Sequence, residues 1–371
     1  MTPRQRFAAI LRYQPVDRCP IMNFGFWSET RERWASEGLP ADADADAFFG
    51  FENYRGAWPN LGLCPGFADE VVEDRGDSEI VRQGDGAIVE RSKRGGSIPR
   101  HLGHALTDRA SWEQLFKPRL QAATAARWSA DWATHCADFI RPDREYPLIM
   151  NLGSLYGVQR NWFGLERVSE VLYDDPGLIE EIATTLADVA VHMAGEMLRQ
   201  GIRPEVGWLW EDICYNAGPL IAPRLFKRII VPQLRRITSA MEAGGVDLTV
   251  VDCDGKIDAL IPLWMEAGVK GMFPIEIGTT GCDPLALRRT WGRDLRMLGG
   301  FDKRILAGTP ADISREIDRL APLVEEGGFI PQVDHLVPPD VSLANFLHYV
   351  REAKRVWGRG NPNCLPTGRI P

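Results

Sequence analysis

From residue 146 to residue 357 the chain repeats one pattern: a short apolar run, a polar loop and a stretch with helical periodicity. The apolar runs are PLIMNL, VGWLW, DLTVV, GVKGMFPIEI, LRMLGGF and GGFIPQV. Apolar strands that alternate with helices indicate a parallel sheet with helical crossovers. The earlier run PIMNF, at 20–24, brings the count to seven candidate strands, and eight would close a barrel. The sequence therefore predicts an α/β fold, a (β/α)8 TIM barrel.

An open, doubly wound sheet is the alternative fold. Such a sheet normally carries a glycine-rich first crossover loop, and neither GxGxxG nor GxxxxGK[ST] occurs in this chain. The barrel is therefore the favoured fold.

Residues 68–100 follow a different pattern from the rest of the chain. EVVED, SEIVRQ and AIVERSK are short β-type runs separated by RGD and GDG, and Asp-Gly is a tight-turn signal. We predict an N-terminal antiparallel β-meander at 68–100, inserted in a single barrel domain over 1–371. Residues 358–371 are rich in Gly, Pro and Asn and are predicted to be a frayed tail.

Composition excludes several classes of protein. There are 43 Lys and Arg residues against 51 Asp and Glu, a net charge of −8, which argues against nucleic-acid binding. The seven cysteines are irregularly spaced and include no CxxC motif, which favours a reducing cytoplasm over a disulfide framework. No apolar stretch is long enough to span a membrane, and the N-terminus lacks the apolar segment of a signal peptide.

Polar side chains follow the predicted strands. In a barrel these strand ends converge on one face, where active sites are built. The residues are Asn23, Asn151, Glu211, Asp252, Glu276, Asp302 and His335.

Among these strand ends, the sequence VVDCDGK carries the strongest signal of a functional site. Side chains alternate along an extended chain, so Asp252 and Asp254 share a face while Cys253 points away. Two acids at a barrel mouth could hold a divalent metal, or one could stay protonated and act as an acid. The alternative is structural: an aspartate that caps the next helix, with Gly255 making the turn.

Other candidates surround this pair of acids. His335 follows the last strand, and Glu211 either completes a metal shell, binds substrate or orders a loop. Tyr156, Arg160 and Trp27 are candidates for the pocket wall. Arg31 and Arg33 either clamp a substrate carboxylate or form a solvated helix face. His101 and His104, in HLGH, have a two-ligand spacing but are predicted to lie on a loop surface.

Several stretches together resemble the uroporphyrinogen decarboxylase superfamily over nearly the whole chain. They include TPRQRFAAILRYQPVDRCP, PLIMNLGSLYG, GPLIAPRLFKRIIVP, VDCDGKIDALIPLWMEAGVKGMFPIE, LRMLGGFDKR and GGFIPQVDHLVPPDVSLANF. The resemblance implies a (β/α)8 barrel. It also implies either a tetrapyrrole decarboxylase or a zinc methyltransferase that acts with corrinoid proteins, coenzyme M or folate.

Two departures from the family patterns bear on that choice. True uroporphyrinogen decarboxylases carry an arginine-rich loop after the first strand, where this chain has NFGFWSETRER. The zinc methyltransferases place His-x-Cys where this chain has Asp252 and Asp254, and a later Cys at about His335. The resemblance therefore implies a harder ligand set of Asp252, Asp254 and His335, suited to zinc, manganese, iron or magnesium, with zinc the first choice.

We therefore expect a methyltransferase, or demethylase, that moves a methyl group from a small O- or N-methyl substrate to a corrinoid protein or tetrahydrofolate. The catalytic candidates are Glu211, Tyr156 and His335, and the substrate-binding candidates are Trp27, Asn151, Arg160 and Glu276. A metal-independent decarboxylase that uses an aspartate and an arginine is the alternative, and a non-enzymatic binding protein is the third. The oligomeric state stays open, with a homodimer as one candidate.

Overall fold

A computed structural model describes residues 1–40, 42–93, 99–278 and 280–358 of the chain. The predicted tail at 358–371 lies outside the described residues except for its first position. None of the helices in these four ranges has the length and apolar character needed to cross a membrane. None of the six cysteines that fall within them forms a disulfide with another of the six.

The centre of the fold is a seven-stranded parallel sheet that curls toward a barrel, with the strands in the order β1-β6-β7-β10-β11-β12-β13. Six of these strands are the apolar runs predicted between 146 and 333. Their near-continuous apolar character reflects burial on both faces. The seven strands are β1 (Arg55–Ala57), β6 (Leu148–Asn151), β7 (Val206–Trp210), β10 (Thr249–Asp252), β11 (Gly271–Phe273), β12 (Arg296–Phe301) and β13 (Phe329–Val333).

The predicted strand at 20–24 is wrong. This segment is loop rather than strand in the structure. Pro20 has no N–H to donate, and the N–H of Asn23 donates to the side chain of Asn53 at 2.9 Å instead of to a strand carbonyl. The seventh strand is β1, in a stretch where the sequence shows no periodicity.

The segment 19–27 lies between the two outer strands of the sheet. The N–H of Glu52, just before β1, donates to the Ile21 carbonyl at 2.9 Å, and Phe26 forms an isolated parallel bridge with Val337, just after β13. Within the four described ranges, regular strand pairing therefore leaves the barrel open along this segment.

Helices connect and cover the strands, and several begin at the caps that the sequence provides. Thr2 forms a capping box with Gln5, Asp175 caps the helix that starts at Pro176, and Thr309 forms a capping box with Asp312. The helices are α1 (Pro3–Leu11), α2 (Ser28–Ser36), α3 (Ala45–Phe49), α4 (Arg109–Ser111), α5 (Trp132–Phe139), α6 (Gly157–Phe163), α7 (Leu165–Asp174), α8 (Pro176–Arg199), α9 (Pro223–Ile229), α10 (Val231–Ala243), α11 (Ile261–Glu266), α12 (Pro284–Trp291), α13 (Pro310–Glu326) and α14 (Leu343–Val356).

The longest of these helices, α8, shows how the crossovers are stabilised. Its buried face repeats at helical spacing through Leu178, Ile182 and Ala183 to Met193 and Met197, and it packs against α10. Each buried aliphatic side chain contributes about 1.5–3 kcal/mol relative to an exposed one. The sheet is thereby held as a rigid frame for the loops at its carboxyl edge.

The predicted antiparallel insertion is confirmed and is longer than predicted. Four strands pair in chain order: β2 (Glu70–Asp74), β3 (Ser78–Arg82), β4 (Ala87–Ser92) and β5 (Arg100–His104). The last strand extends beyond residue 100, the predicted end of the meander. A two-stranded hairpin of β8 (Cys214–Tyr215) and β9 (Gly218–Pro219) follows β7.

Candidate functional site

The carboxyl ends of neighbouring strands bring several acidic residues together. In the ladder, Asp252 at the end of β10 lies opposite Trp210 of β7 and Phe273 of β11. Residues that follow these strands therefore leave the sheet at one edge, and these residues are Asp212, Asp254 and Glu276. This is the edge at which barrel enzymes build their sites.

Asp254 and His335 lie against each other at this edge. The His335 Nε2 atom lies 3.3 Å from Asp254 Oδ2, and the two side chains are 24% and 34% exposed. The other oxygen, Asp254 Oδ1, is buried and has no hydrogen-bond partner among the described residues. An unsatisfied buried acceptor costs about 1–3 kcal/mol. Asp254 Oδ1 can still accept a hydrogen bond.

Gly255 is required where the chain turns after Asp254. Its φ is +88°, and a Cβ atom there would lie 2.6 Å from the carbonyl oxygen of Cys214. The N–H of Gly255 donates to Glu276 Oε2 at 3.0 Å, and Glu276 Oε1 lies 3.3 Å from Lys303 Nζ. This turn fixes the position of Asp254 relative to Glu276.

Asp252 lies deeper at the same edge. Burial, with the neighbouring Asp254 and Asp212 carboxylates, raises the pKa of its carboxyl to about 8, and a hydrogen bond from Trp208 opposes the rise. The ring of Tyr54 lies 5.1 Å from the Trp208 ring, and its hydroxyl pKa is also raised, by burial and then by Asp252. Asp252 is therefore a mainly protonated acid at neutral pH.

Asp212 is held by Arg160 from helix α6. The Arg160 guanidinium donates to the Asp212 carbonyl oxygen at 2.6 Å and to its Oδ2 at 3.2 Å and 3.3 Å. Burial raises the pKa of the Asp212 carboxyl, Arg160 lowers it, and Asp254 raises it again. Arg160 is thus engaged with a protein carboxylate at the site.

A cavity of about 640 Å³ opens beside these residues. This volume is typical of a site for a small organic ligand. Three carboxylates face it, from Asp212, Asp254 and Glu276, together with Arg160. The remaining lining residues are His101, His104, Asn161, Gly164, Leu165, Cys214, Tyr215, Asn216, Leu220 and Gly255.

Glu211 adjoins Asp212 but points into the protein. It is fully buried, and its carboxylate accepts the N–H groups of Leu155 at 2.6 Å, Tyr156 at 3.0 Å and Gly157 at 2.9 Å, with the Ser154 hydroxyl at 3.3 Å. Burial raises its pKa, and these donors oppose the rise. This geometry is that of the loop-ordering alternative, since the carboxylate holds the start of α6.

Three further predicted residues lie away from the cavity. Tyr156 is fully buried, its hydroxyl has no hydrogen-bond partner in the described part of the chain, and burial raises its pKa. The side chain of Asn151 accepts the N–H of Gly153 at 2.9 Å, which makes it part of a turn. Trp27 is half-buried at the start of α2. Their predicted roles at the site stay predictions.

His101 and His104 lie in the cavity wall, where the sequence predicted a loop surface. Both belong to strand β5 of the inserted sheet, and their rings are stacked with centroids 5.4 Å apart. The HLGH spacing was the available signal. This spacing does not predict that both rings share the cavity wall, because a regular strand places residues three apart on opposite faces.

A comparison with protein families decides the lineage. The profile of the family described as "Uroporphyrinogen decarboxylase (URO-D)" matches residues 89–356, which is most of the chain. The chain belongs to the uroporphyrinogen decarboxylase family. The match begins within strand β4 and ends with α14, so it includes Asp212, Asp254, Glu276 and His335.

Individual relatives of this URO-D family member are distant. A uroporphyrinogen decarboxylase of Maricaulis maris is 26% identical over 121 residues, which is 33% of this chain and 34% of that protein. The alignment thus spans about a third of the length of this curated relative.

Solved structures resemble the chain over a greater length. A methyltransferase from Methanosarcina mazei covers 96% of this chain and 99% of its own at a TM-score of 0.60 and 14% identity, which is a likeness of fold. A B12-independent methionine synthase from a Shewanella species covers 92% and 97% at a TM-score of 0.45 and 11% identity.

The predicted metal ligands of this URO-D family member are Asp252, Asp254 and His335. Across the described residues, no group of three or more His, Cys, Asp or Glu side chains is arranged to hold a metal ion. Asp254 and His335 provide two donors at one point, and Asp252 accepts a hydrogen bond from Trp208 instead of completing a set of three. The arrangement does not fit a three-ligand site, and metal binding stays a prediction.

The two arginines proposed as a carboxylate clamp lie on α2. Arg31 donates to the Ala43 carbonyl at 3.0 Å, and Arg33 donates to Glu37 at 2.6 Å and to the Pro339 carbonyl at 2.8 Å. Both guanidinium groups are therefore used for internal contacts, as the helix-face alternative predicts.

Proposed function

We propose that this URO-D family member is a methyltransferase that removes a methyl group from a small O- or N-methyl compound. The observation that carries the proposal is the Asp254–His335 pair at the edge of a cavity of about 640 Å³ with Asp212 and Glu276 in its wall. The full-length likeness of fold to a methyltransferase agrees with it.

The chemistry that this pair can supply is proton donation. A methyl ether or amine is a poor methyl donor because its leaving heteroatom is basic, and general acid catalysis contributes typically 10²–10⁴-fold. Asp254 lines the cavity and lies against His335, so a proton shared by the two side chains is held beside the bound donor. As the bond from carbon to heteroatom breaks, its electron pair stays on the heteroatom and takes up this proton, while the methyl carbon forms its new bond to the nucleophilic atom of the methyl acceptor.

The unpaired Asp254 oxygen provides a contact for the donor. Asp254 Oδ1 has no partner within the four described ranges, so a protonated amine or a hydroxyl on the substrate can satisfy it. Arg160 keeps Asp212 in place, and the Gly255 turn keeps Glu276 in place. These residues position the acid pair and the donor relative to each other.

Decarboxylation is the alternative, and family membership favours it. Tetrapyrrole substrates carry many carboxylates, and three wall carboxylates would repel such a molecule. Arg31 and Arg33, the nearest equivalents of an arginine clamp, are engaged with α2 and backbone carbonyls. These two features support methyl transfer over decarboxylation of a polycarboxylate.

The methyl acceptor and the metal belong to the proposal as well. We propose a corrinoid protein or tetrahydrofolate as the acceptor, supported by the resemblance to the methyltransferase branch. Zinc or another divalent ion is the alternative to a proton at this pair, and on Asp254 and His335 it would require a further ligand from Asp252, the substrate or water. Cytoplasmic location agrees with the reduced cysteines.

One assay tests the reaction itself. Purified protein is incubated with cob(I)alamin and a panel of methyl ethers and methylamines, and methylcobalamin, the demethylated product and carbon dioxide are measured together. Elemental analysis of the same preparation gives its metal content. We expect methylcobalamin and demethylated product in equal amounts. Carbon dioxide release from carboxylated substrates without methyl transfer would replace the proposal by the decarboxylase alternative.

A further inference from the structure

A β-bulge in the inserted sheet aims two histidines at the cavity. Strand β5 pairs with β4 so that Ile88 lies opposite Gly103 and Val89 lies opposite His101. Leu102 is thereby left as an extra residue in the ladder. Without it, His101 and His104 would lie on opposite faces of the strand, because side chains alternate. Bulges commonly re-aim a side chain next to an active site.

The two imidazole rings form a stacked pair as a result. Their centroids are 5.4 Å apart and their planes differ by 13°. His101 is exposed, while His104 is half-buried against the start of α7. At that point Gly164 has a φ of +78°, and a Cβ atom there would lie 2.6 Å from His104 Nε2. His104 is therefore fixed in place, and His101 is the accessible ring of the pair.

Burial disfavours a positive charge on His104, the inner ring of this pair. Burial lowers the pKa of His104, and its neighbour His101 lowers it further, while a contact with the Asn161 backbone has the opposite effect. His104 Nδ1 is buried, and no residue that the structure describes forms a hydrogen bond with it. A neutral ring in a stack offers a flat, polarisable surface rather than a cation.

The cavity extends from this pair to the acidic wall. His101 and His104 line it together with the apolar Leu165 and Leu220, and Asp254 and Glu276 line the same cavity. Its volume of about 640 Å³ suits a drug-sized ligand and greatly exceeds the needs of a one-carbon donor. A substrate that fills it requires a body as well as a methylated heteroatom.

We propose that the His101–His104 pair binds the planar aromatic body of the substrate by ring stacking, while its methylated heteroatom lies at Asp254. The identity of the substrate as a methyl donor rests on the proposed function. The binding surface itself rests on the bulge, the stack and the size of the cavity. Aromatic pairs contribute about 0.5–1.5 kcal/mol beyond area burial, so the expected preference for an aromatic ring is about five-fold.

Three probes separate the ring from the other features of a ligand. Methoxybenzene has the aromatic ring, cyclohexyl methyl ether has a body of similar size without π electrons, and methoxyacetate has a carboxylate without a ring. Affinities for the full-length protein are measured by titration calorimetry, which requires no turnover. We expect the protein to bind methoxybenzene about five-fold tighter than cyclohexyl methyl ether.

Variants of the exposed histidine make the test specific. His101→Ala should abolish this preference, His101→Phe should restore it, and Arg100→Ala, an exposed neighbour in the same strand, should leave it unchanged. Equal affinity of the parent protein for the two ethers would overturn the proposal, and so would a preference that survives His101→Ala. A selective loss of methoxyacetate binding in His101→Ala would also overturn it, in favour of an anion site.

The two proposals fail separately. If methoxybenzene binds with the expected preference but cob(I)alamin is never methylated, the reaction is wrong and the binding surface stands. If methyl transfer occurs and His101→Ala discriminates between ethers as the parent does, the reaction stands and the role of the histidine pair is wrong.

Discussion

Glu211 and Asp254 are two carboxylates that follow adjacent strands of the same sheet, and they differ in how they are satisfied. Glu211 accepts three backbone N–H groups and a hydroxyl from residues 154–157. Asp254 has His335 beside one oxygen, and no described residue forms a hydrogen bond with the other. Glu211 is fully buried, whereas Asp254 lines the cavity.

At one edge of the sheet, one carboxylate therefore stabilises the fold and the other is available for chemistry. A carboxylate whose lone pairs are all used within the protein stabilises the fold and has nothing left for a ligand. A carboxylate with an unused oxygen at a cavity costs stability and can bind or protonate a substrate. We therefore expect substitutions of Glu211 to act on folding and substitutions of Asp254 to act on turnover.

The largest expected effect is on the stability of a Glu211→Ala variant. It leaves three buried N–H groups without an acceptor at the start of α6, and unsatisfied buried donors cost about 1–3 kcal/mol each. We expect the free energy of unfolding to fall by roughly 3–5 kcal/mol, measured by urea denaturation. Glu211→Gln, which keeps one acceptor oxygen, should lose less.

If Glu211→Gln has the same free energy of unfolding as the parent protein but loses turnover, the division of roles between Glu211 and Asp254 is wrong. That result would return Glu211 to the catalytic role predicted from the sequence. Asp258→Asn, an exposed acid near the same edge, is the control and should change neither quantity.

The next effect is on turnover in an Asp254→Asn variant. The amide is nearly isosteric but cannot hold a proton shared with His335, so methyl transfer should slow by about 100-fold or more. The free energy of unfolding should stay within about 0.5 kcal/mol, because no satisfied hydrogen-bond network is lost. Turnover is measured as methylcobalamin formation under saturating donor.

Asp258→Asn again serves as the matched control, since it makes the same chemical change on an exposed side chain. If both variants retain full turnover, Asp254 is not part of the acid pair. If Asp254→Asn loses several kcal/mol of stability, it belongs with Glu211 instead.

The parallel sheet and its site edge could be predicted from the sequence because they depend on local patterns. Six apolar runs became six parallel strands, and the acids placed after them do lie at one edge. Strand β1 has only three residues, with Gly56 at its centre, and so offers no pattern to detect. The loop at 20–24 has an apolar run, but its N–H groups are not paired as in a strand.

The roles of individual side chains were less predictable because they depend on distant partners. The donors to Glu211 come from residues 54–57 positions earlier in the chain, and periodicity does not contain that information. The position of His101 depends on one extra residue in a ladder, which changes the face of every residue beyond it. Turn geometry and strand register, which periodicity does not determine, therefore decide the roles of these side chains.

A third prediction concerns the pH dependence that Asp252 gives to stability. Its carboxyl has an ordinary pKa of 3.8, raised to about 8 in the folded protein by burial and by Asp254. Between these values the folded state holds a proton that the unfolded state has lost. Stability from this group is therefore present at low pH and falls as the pH rises toward 8, by at most about 1.4 kcal/mol per pH unit.

Asp252→Asn removes this titration, so its stability relative to the parent protein should rise with pH. The measurement is urea denaturation of both proteins at about pH 6 and about pH 7, with a relative gain of roughly 1 kcal/mol expected. Parallel pH profiles for the two proteins would mean that Asp252 is already ionised.

The smallest expected effect is that of Ser154→Ala, which tests how redundant the bonding of Glu211 is. The Ser154 hydroxyl donates to Glu211 at 3.3 Å and accepts the N–H of Val158 at 2.9 Å. Because three backbone N–H groups still hold the carboxylate, its loss should cost about 1 kcal/mol in urea denaturation and leave turnover unchanged. Ser28→Ala, an exposed serine at the start of α2, is the control. A loss in Ser154→Ala as large as that in Glu211→Ala would mean that the hydroxyl, and not the set of backbone donors, keeps Glu211 in place.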